Sequence, residues 1–276
     1  MLGWQIAADW AVGLLLAAGL LWLLRPQGRA GRAAIAIVRE CGIVLGLFAF
    51  WQLAGTLAHH NPEGAVGRGQ RLLDVEATLH IASERSINHW MDQHSTLTEI
   101  CNTFYVYGHF NGLIIFLAWV YLRHRSFYPS VRMSVVLVTA TCFFLHLITV
   151  APPRLLPGAG FIDTAAQHGQ SVYSPTTLEV ADQLSAFPSV HVGWAAIVAY
   201  WACRASPWRW GWVGVAHLVV TSLVVVATAN HYWLDGIVAM GILLVALLLQ
   251  ATVPALVRAS RSHSAQPGTV EEPALV

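Results

Sequence analysis

Long apolar runs alternate with short polar connections along this chain. Seven runs stand out, over residues 8–24, 34–58, 99–122, 132–150, 189–203, 210–229 and 232–257. A helix needs about 20 apolar residues to cross the hydrocarbon core of a bilayer. The runs lack the in-and-out alternation of strands, and lipid admits only helices or closed barrels. The pattern predicts an all-α, polytopic membrane helix bundle of about seven transmembrane helices. The first run contains Asp9, has no basic segment before it and no small-residue cleavage site after it, so it reads as a span rather than a cleaved leader.

The connections complete the organisation. Residues 1–258 form one membrane-embedded domain. Within it, 59–98 reads as a polar turn followed by an amphipathic stretch (Leu72, Leu73, Val75, Leu79, Ile81, Ile87, Trp90) suited to a membrane surface. Residues 151–187, rich in Pro, Gly, Ser and Gln, read as a loop over one face. Residues 259–276 read as a disordered polar tail.

Composition supports the membrane reading. Hydrophobic residues make up 56% and charged residues 11%, against about 25% charged in a soluble domain. The formal net charge of +1 gives a nucleic-acid partner no electrostatic support. The basic residues are all arginine, which points to a GC-rich genome; the expected location is a bacterial plasma membrane. Cys41, Cys101, Cys142 and Cys203 lie in or beside apolar runs without metal-like spacing and read as small buried hydrophobes.

Arginine placement orients the bundle. Ten arginines (25, 29, 32, 123, 125, 132, 204, 209, 258 and 261) fall on one side, and Arg68, Arg71, Arg85 and Arg154 on the other. The positive-inside rule then puts the N-terminus outside and the C-terminus in the cytoplasm. An odd number of spans agrees with that.

Three stretches carry candidate chemistry: Ala151-Pro-Pro-Arg-Leu-Leu-Pro157, Ala186-Phe-Pro-Ser-Val-His191 and Thr228-Ala-Asn-His-Tyr-Trp-Leu-Asp235. They are far apart in sequence, yet the span order brings all three to the outer face. His231 and Asp235, four apart at a helix start, share a face. A carboxylate on one imidazole nitrogen fixes the tautomer and leaves the other nitrogen free to attack. His191 is a candidate general acid. Arg154, Ser189 and N–H groups at the start of the fifth span are candidate phosphate ligands, with Pro188 opening that helix. A single interfacial histidine is more often a packed side chain than a catalyst, and the chain has thirteen. It is the conjunction that points to phosphoryl transfer. The site offers histidines and cations rather than clustered carboxylates, so neither metal nor cofactor is expected.

These stretches resemble the signature motifs of the type 2 phosphatidic acid phosphatase superfamily, which includes vanadium haloperoxidases. Pro188-Ser-Val-His191 is similar to its Pro-Ser-Gly-His motif, and His231-x-x-x-Asp235 to its closing His-x-x-x-Asp. The resemblance implies that His231 is a nucleophile forming a phosphohistidine, that His191 protonates the leaving group, and that Asp235 supports His231. It is closer to the inositolphosphotransferase-like branch, which includes fungal inositol phosphorylceramide synthase. The phrases Ala-Pro-Pro-Arg, Ala-Phe-Pro-Ser-x-His and Asn-His-Tyr-x-x-Asp are similar to that branch. So are Leu73-Asp-Val-Glu76 with Glu84, and Tyr105 to His109 with Tyr128 and Arg132. The likeness covers roughly residues 70–245.

The chain departs from the broader superfamily at two places. Leu147 stands where the first motif has lysine, and Val224 and Val225 stand where the third has Ser-Arg. The site is therefore expected to hold fewer cations, with Arg71 or Arg85 as replacements and Asn230 and Thr228 as further accessory candidates. The expected function is an enzyme cleaving a membrane lipid's phosphate ester or diester and passing the phosphoryl group to an alcohol. Transfer to water, which makes the enzyme a phosphatase, is the alternative. A transporter would carry more ionisable or helix-breaking residues in mid-span than the Arg39–Glu40 pair. A non-catalytic lipid-binding protein would not need the histidine pairing.

Overall fold

A helix occupies each of the seven apolar runs. The computed structural model describes residues 4–24, 28–58, 64–171, 183–206 and 210–264. Helices α1 (Trp4–Leu24) and α2 (Arg29–Ala58) form a hairpin. Two short helices follow, α3 (Ala65–Thr78) and α4 (Glu84–Asp92). The third run is α5 (Ser95–Thr103) continuing through a π turn (Phe104–Gly108) into α6 (His109–Arg123). Next come α7 (Tyr128–His146), a one-turn α8 (Thr164–Gln167), α9 (Val190–Ala205), α10 (Trp210–Ala227) and α11 (Trp233–Ser264). No strand occurs among the described residues; an isolated bridge joins Val150 to Ser185.

Four helical stretches among the described residues are long and apolar enough to cross a membrane: Ile6–Leu24, Ser95–Arg123, Tyr128–His146 and Trp233–Val253. The apolar helix Gly211–Ala227 is shorter. Large apolar side chains face outward along these helices, among them Trp10, Trp22, Leu122, Ile115 and Leu248. In water such a surface would aggregate; against lipid tails it is the expected covering.

Helix α9 is the axis of the bundle, packing against α6, α7, α10 and α11, and almost every residue from Val190 to Ala202 is buried. Polar contacts hold it in place. Trp194 Nε1 donates to Thr139 Oγ1 at 2.9 Å, and Trp201 Nε1 to Ser134 Oγ at 3.0 Å. Gln250 of α11 reaches the same Ser134 hydroxyl at 3.0 Å. Such bonds between membrane helices contribute about 0.6 kcal/mol each, but they fix the register of apolar surfaces that could otherwise slide.

Several boundaries differ from the sequence expectation. The fourth run was expected to stay helical to 150, but α7 ends at His146. Beyond it Val150 N–H bonds to Leu184 O at 2.7 Å and Ala186 N–H to Val150 O at 3.2 Å. Those extended pairings remove the residues from helical geometry. Pro188 does not open α9. Ser189 caps it, its hydroxyl accepting from Val192 N–H at 3.3 Å, so the proline lies one residue before the cap. Cys41 is exposed and only Cys142 is fully buried, since a lipid-facing surface accepts a thiol as readily as the core does.

The amphipathic stretch in 59–98 forms α3 and α4, and each buries one face: Ala65, Gly69 and Glu76, then Glu84, Asn88 and Met91. Val75, Leu79 and Trp90 point outward. Helix α11 continues to Ser264. The rest of the expected tail (265–276), residues 59–63 of the polar turn, residues 172–182 of the loop, and Arg25 and Arg209 lie outside the described residues.

Candidate active site

The turn between α10 and α11 builds the centre of the site. Helix α10 ends on Ala227, and Ala229, two residues on, adopts a left-handed φ of 53°. That conformation costs a non-glycine residue about 1–2 kcal/mol. The N–H groups of Asn230 and His231 both return to Val225 O at 3.1 Å, which caps the helix and turns the chain sharply. A strained turn that the surrounding bonds over-determine is a common setting for functional side chains.

His231 leaves that turn buried. Its Nδ1 lies 2.7 Å from Ala186 O and 3.1 Å from Asp235 Oδ2. A carbonyl oxygen can only accept, so Nδ1 carries the proton and Nε2 holds the lone pair. Nε2 faces His191 Nδ1 at 3.2 Å. Burial pushes the His231 imidazole down to about 4, the bond to Ala186 opposes that shift, and the Arg154 guanidinium adds to it. The ring is therefore neutral at physiological pH, with the Nε2 lone pair accepting from a second histidine.

Asp235 does more than face His231. Its Oδ2 also accepts Tyr232 N–H at 2.8 Å, and its own carbonyl accepts Ser189 N–H at 3.2 Å. The residue thus ties the start of α11 to the start of α9. His191 is the second residue of α9 and stays partly exposed.

Arg154 projects from a short 3₁₀ turn (Pro153–Leu155) with its side chain 3% exposed. Nε donates to Asn230 Oδ1 at 2.9 Å and Nη1 to Asp163 Oδ2 at 3.1 Å. Asn230 is held in turn by Thr228 Oγ1 at 2.9 Å. Thr228, Asn230 and Arg154 thus form one chain of side-chain hydrogen bonds. Ser189 is fully buried and caps α9, its hydroxyl accepting from Val192 N–H. Of the two accessory arginines, Arg85 donates to Ala159 O at 3.3 Å on the loop. Arg71 lines a cavity of about 270 Å³ beside Phe187, with Leu72, Val75, Ile148 and Val150 as apolar walls. Leu147 is exposed, while Val224 and Val225 are buried and apolar. The two motif cations and the serine absent at these positions thus leave exposed apolar or core surface.

Four groups around this centre did not stand out as site residues in the sequence. Tyr105, in the π turn, stacks on His191 with centroids 4.5 Å apart at 18°, and His109 lies 4.1 Å from the same ring. A π turn often marks a functional segment because it shifts the side chains beyond it around the helix. The remaining two are carboxyls. Glu76 Oε1 accepts Leu234 N–H at 2.7 Å, and Glu84 Oε1 accepts Trp233 N–H at 3.3 Å. Two side chains some 150 residues away in sequence thus cap the helix that follows His231. Burial, then a hydrogen bond and charge repulsion from Glu76, raise the Glu84 carboxyl to about 9. It is protonated at neutral pH. The sequence marked these four only through the likeness of Leu73-Asp-Val-Glu76 with Glu84 and of Tyr105 to His109.

Two close approaches hold α3 on the turn. Tyr232 donates its hydroxyl to Ala151 O at 2.7 Å. A Cβ on Gly69 would stand 2.6 Å from that hydroxyl and 2.7 Å from that carbonyl, so only glycine fits. Asn88 of α4 donates to Ala227 O at 2.8 Å and accepts Ile162 N–H at 2.8 Å, pinning the loop to the end of α10.

The family model described as the PAP2 superfamily matches residues 70–249, and the chain belongs to that superfamily. Comparison with curated proteins and with solved structures gave no match. The matched stretch contains His191, His231, Asp235, Arg154 and the groups packed on them from Glu76 onward, and membership supports a membrane enzyme of the phosphatase or phosphotransferase kind.

Proposed function

We propose that this PAP2-superfamily protein is a lipid phosphotransferase of the inositolphosphotransferase-like branch, working through a phosphohistidine at His231. The observation that carries the reading is the commitment of His231 Nδ1–H to Ala186 O and Asp235. It leaves Nε2 as a nucleophile pointed at His191.

In the first step His231 Nε2 attacks phosphorus, the N–P bond forms, and the bond to the leaving oxygen breaks. His191, as imidazolium, gives that oxygen its proton and becomes neutral. In the second step an alcohol loses its proton to His191 and attacks phosphorus, and the N–P bond breaks to restore His231. Arg154 and the N-terminus of α9 bear on the phosphate oxygens. A lipid donor is supported by the apolar cavity beside Phe187, where Arg71 stands among Leu72, Val75 and Val150. The exposed Val75, Leu79 and Trp90 suit α3 and α4 to the membrane surface. The arginine distribution supports a site outside the cytoplasm, with the donor arriving in that leaflet.

The test is headgroup transfer in reconstituted vesicles. Purified protein should move labelled phosphoryl or headgroup from phosphatidylinositol or phosphatidic acid to an alcohol acceptor, and His231→Ala should abolish it. Release of phosphate alone would make the enzyme a phosphatase using the same residues. Turnover by His231→Ala within about tenfold of wild type would remove the nucleophile assignment.

A further inference from the structure

The end of the bundle away from the histidines carries a second cluster of charge that the proposed reaction does not use. Arg132 lies near the start of α7 and His146 at its end, about 21 Å apart at 1.5 Å per residue. Glu40 of α2 is buried there. Arg132 Nη1 donates to both of its oxygens at 2.5 and 2.7 Å, and the Tyr128 hydroxyl to Oε2 at 3.4 Å. Arg39 Nη2 reaches Oε1 at 3.1 Å, with its side chain 57% exposed. Arg125 sits over the Tyr121 ring, 4.5 Å from its centre. These side chains surround a cavity of about 190 Å³.

Three guanidiniums against one carboxylate leave the cavity wall with an excess of two positive charges. Glu40 orients Arg132 and offsets one charge, so Arg39 and Arg125 keep most of their donors for something else. Planar guanidinium forks match phosphate oxygens and hold them in pairs. The volume accommodates a headgroup phosphate rather than a whole lipid. The cavity lies where α6 ends and α7 begins, against Ala36, Arg39 and Glu40 of α2, and arginines gathered at a helix–helix turn suit the headgroup region of a bilayer.

We propose that this cavity is a second binding site, which takes the phosphate of an anionic phospholipid headgroup through Arg39, Arg125 and Arg132. Nothing in it depends on the chemistry assigned to His231.

The measurement is the melting temperature of the purified full chain in detergent with added phosphatidylglycerol, phosphatidylcholine or inorganic phosphate. Saturating phosphatidylglycerol should raise it by roughly 3–5 °C over phosphatidylcholine. The double variant R39Q/R125Q should lose most of that shift. R204Q, at an exposed arginine near the same end on α9, should keep it, which separates a built site from general surface charge. A36F fills the cavity without touching a charge and should also lose the shift, so the proposal stays testable if the double variant misfolds. An equal shift from inorganic phosphate, lost in the same variants, supports the phosphate site with a soluble source. No shift in wild type, a full shift in A36F, or equal loss in R204Q overturns it.

Discussion

His231 gives its Nδ1 proton to the carbonyl oxygen of Ala186 across 2.7 Å, a shorter contact than the 3.1 Å to Asp235. The backbone of the segment leading into α9 thereby sets the tautomer of the imidazole at the start of α11. Where an aspartate alone holds the tautomer, replacing it by asparagine costs about 10⁴ in rate.

Asp235→Asn should therefore cost less, on the order of 10²-fold, because Ala186 still accepts the Nδ1 proton. Asp235→Ala should be worse and should also lower the melting temperature, since Tyr232 N–H loses its acceptor. Steady-state rates on one lipid substrate decide this. A loss near 10⁴ for the asparagine variant would return the tautomer to Asp235.

His191 and His231 should separate by leaving group. A nitrophenyl phosphate needs little protonation as its bond breaks, so it should restore much of the activity of His191→Ala. His231→Ala should stay inactive on both substrates. Equal damage on the two substrates would argue against distinct roles.

The pH profile should carry the mark of Arg154. Burial and then that guanidinium hold His231 near 4, so its protonation should limit kcat/KM only around pH 4. Arg154→Gln removes a cation, makes protonation easier and should move the acid limb upward, whatever it does to the maximal rate. The same shift makes stability fall as pH drops from about 6.5 through 4, because the unfolded chain takes up the proton first. An acid limb that does not move in the variant would sever the coupling.

Glu84 should work in the opposite direction. Its carboxyl, raised to about 9 by burial and Glu76, keeps its proton where the unfolded chain has lost it. Stability is then complete below about 4.5 and declines as pH rises through 9. Glu84→Gln retains an oxygen for Trp233 N–H and carries no proton to lose, so melting temperature should decline less between pH 6 and 9. An unchanged slope would place the titration elsewhere.

Sidedness is open to a labelling test. In a background lacking the four native cysteines, a cysteine at Ala159 should react with an impermeant thiol reagent in intact cells. One at Ser126 should react only once the membrane is opened. The reverse pattern would put the chemistry in the cytoplasm and displace the argument about the donor leaflet.

Much of this was legible along the chain. Apolar length set the helices, since a chain in lipid must satisfy its backbone internally whatever its neighbours are. The spacing of four between His231 and Asp235 placed them on one face. The resemblance named the superfamily, and the family match over residues 70–249 bears that out. What periodicity does not encode is which backbone oxygen or distant side chain a polar group will meet. Ala186 O reaches His231 only because Val150 pairs with the 184–186 segment and ends α7 early. Glu76 and Glu84 entered only through a likeness of short stretches, and packing against the α10–α11 turn makes them caps of α11. Ser189, a candidate phosphate ligand by type, also caps α9 by accepting Val192 N–H. Tyr105 and His109 closed on His191 through a π turn that no hydrophobic pattern marks. Local geometry follows from local residues; these contacts follow from where separate helices come to rest against one another.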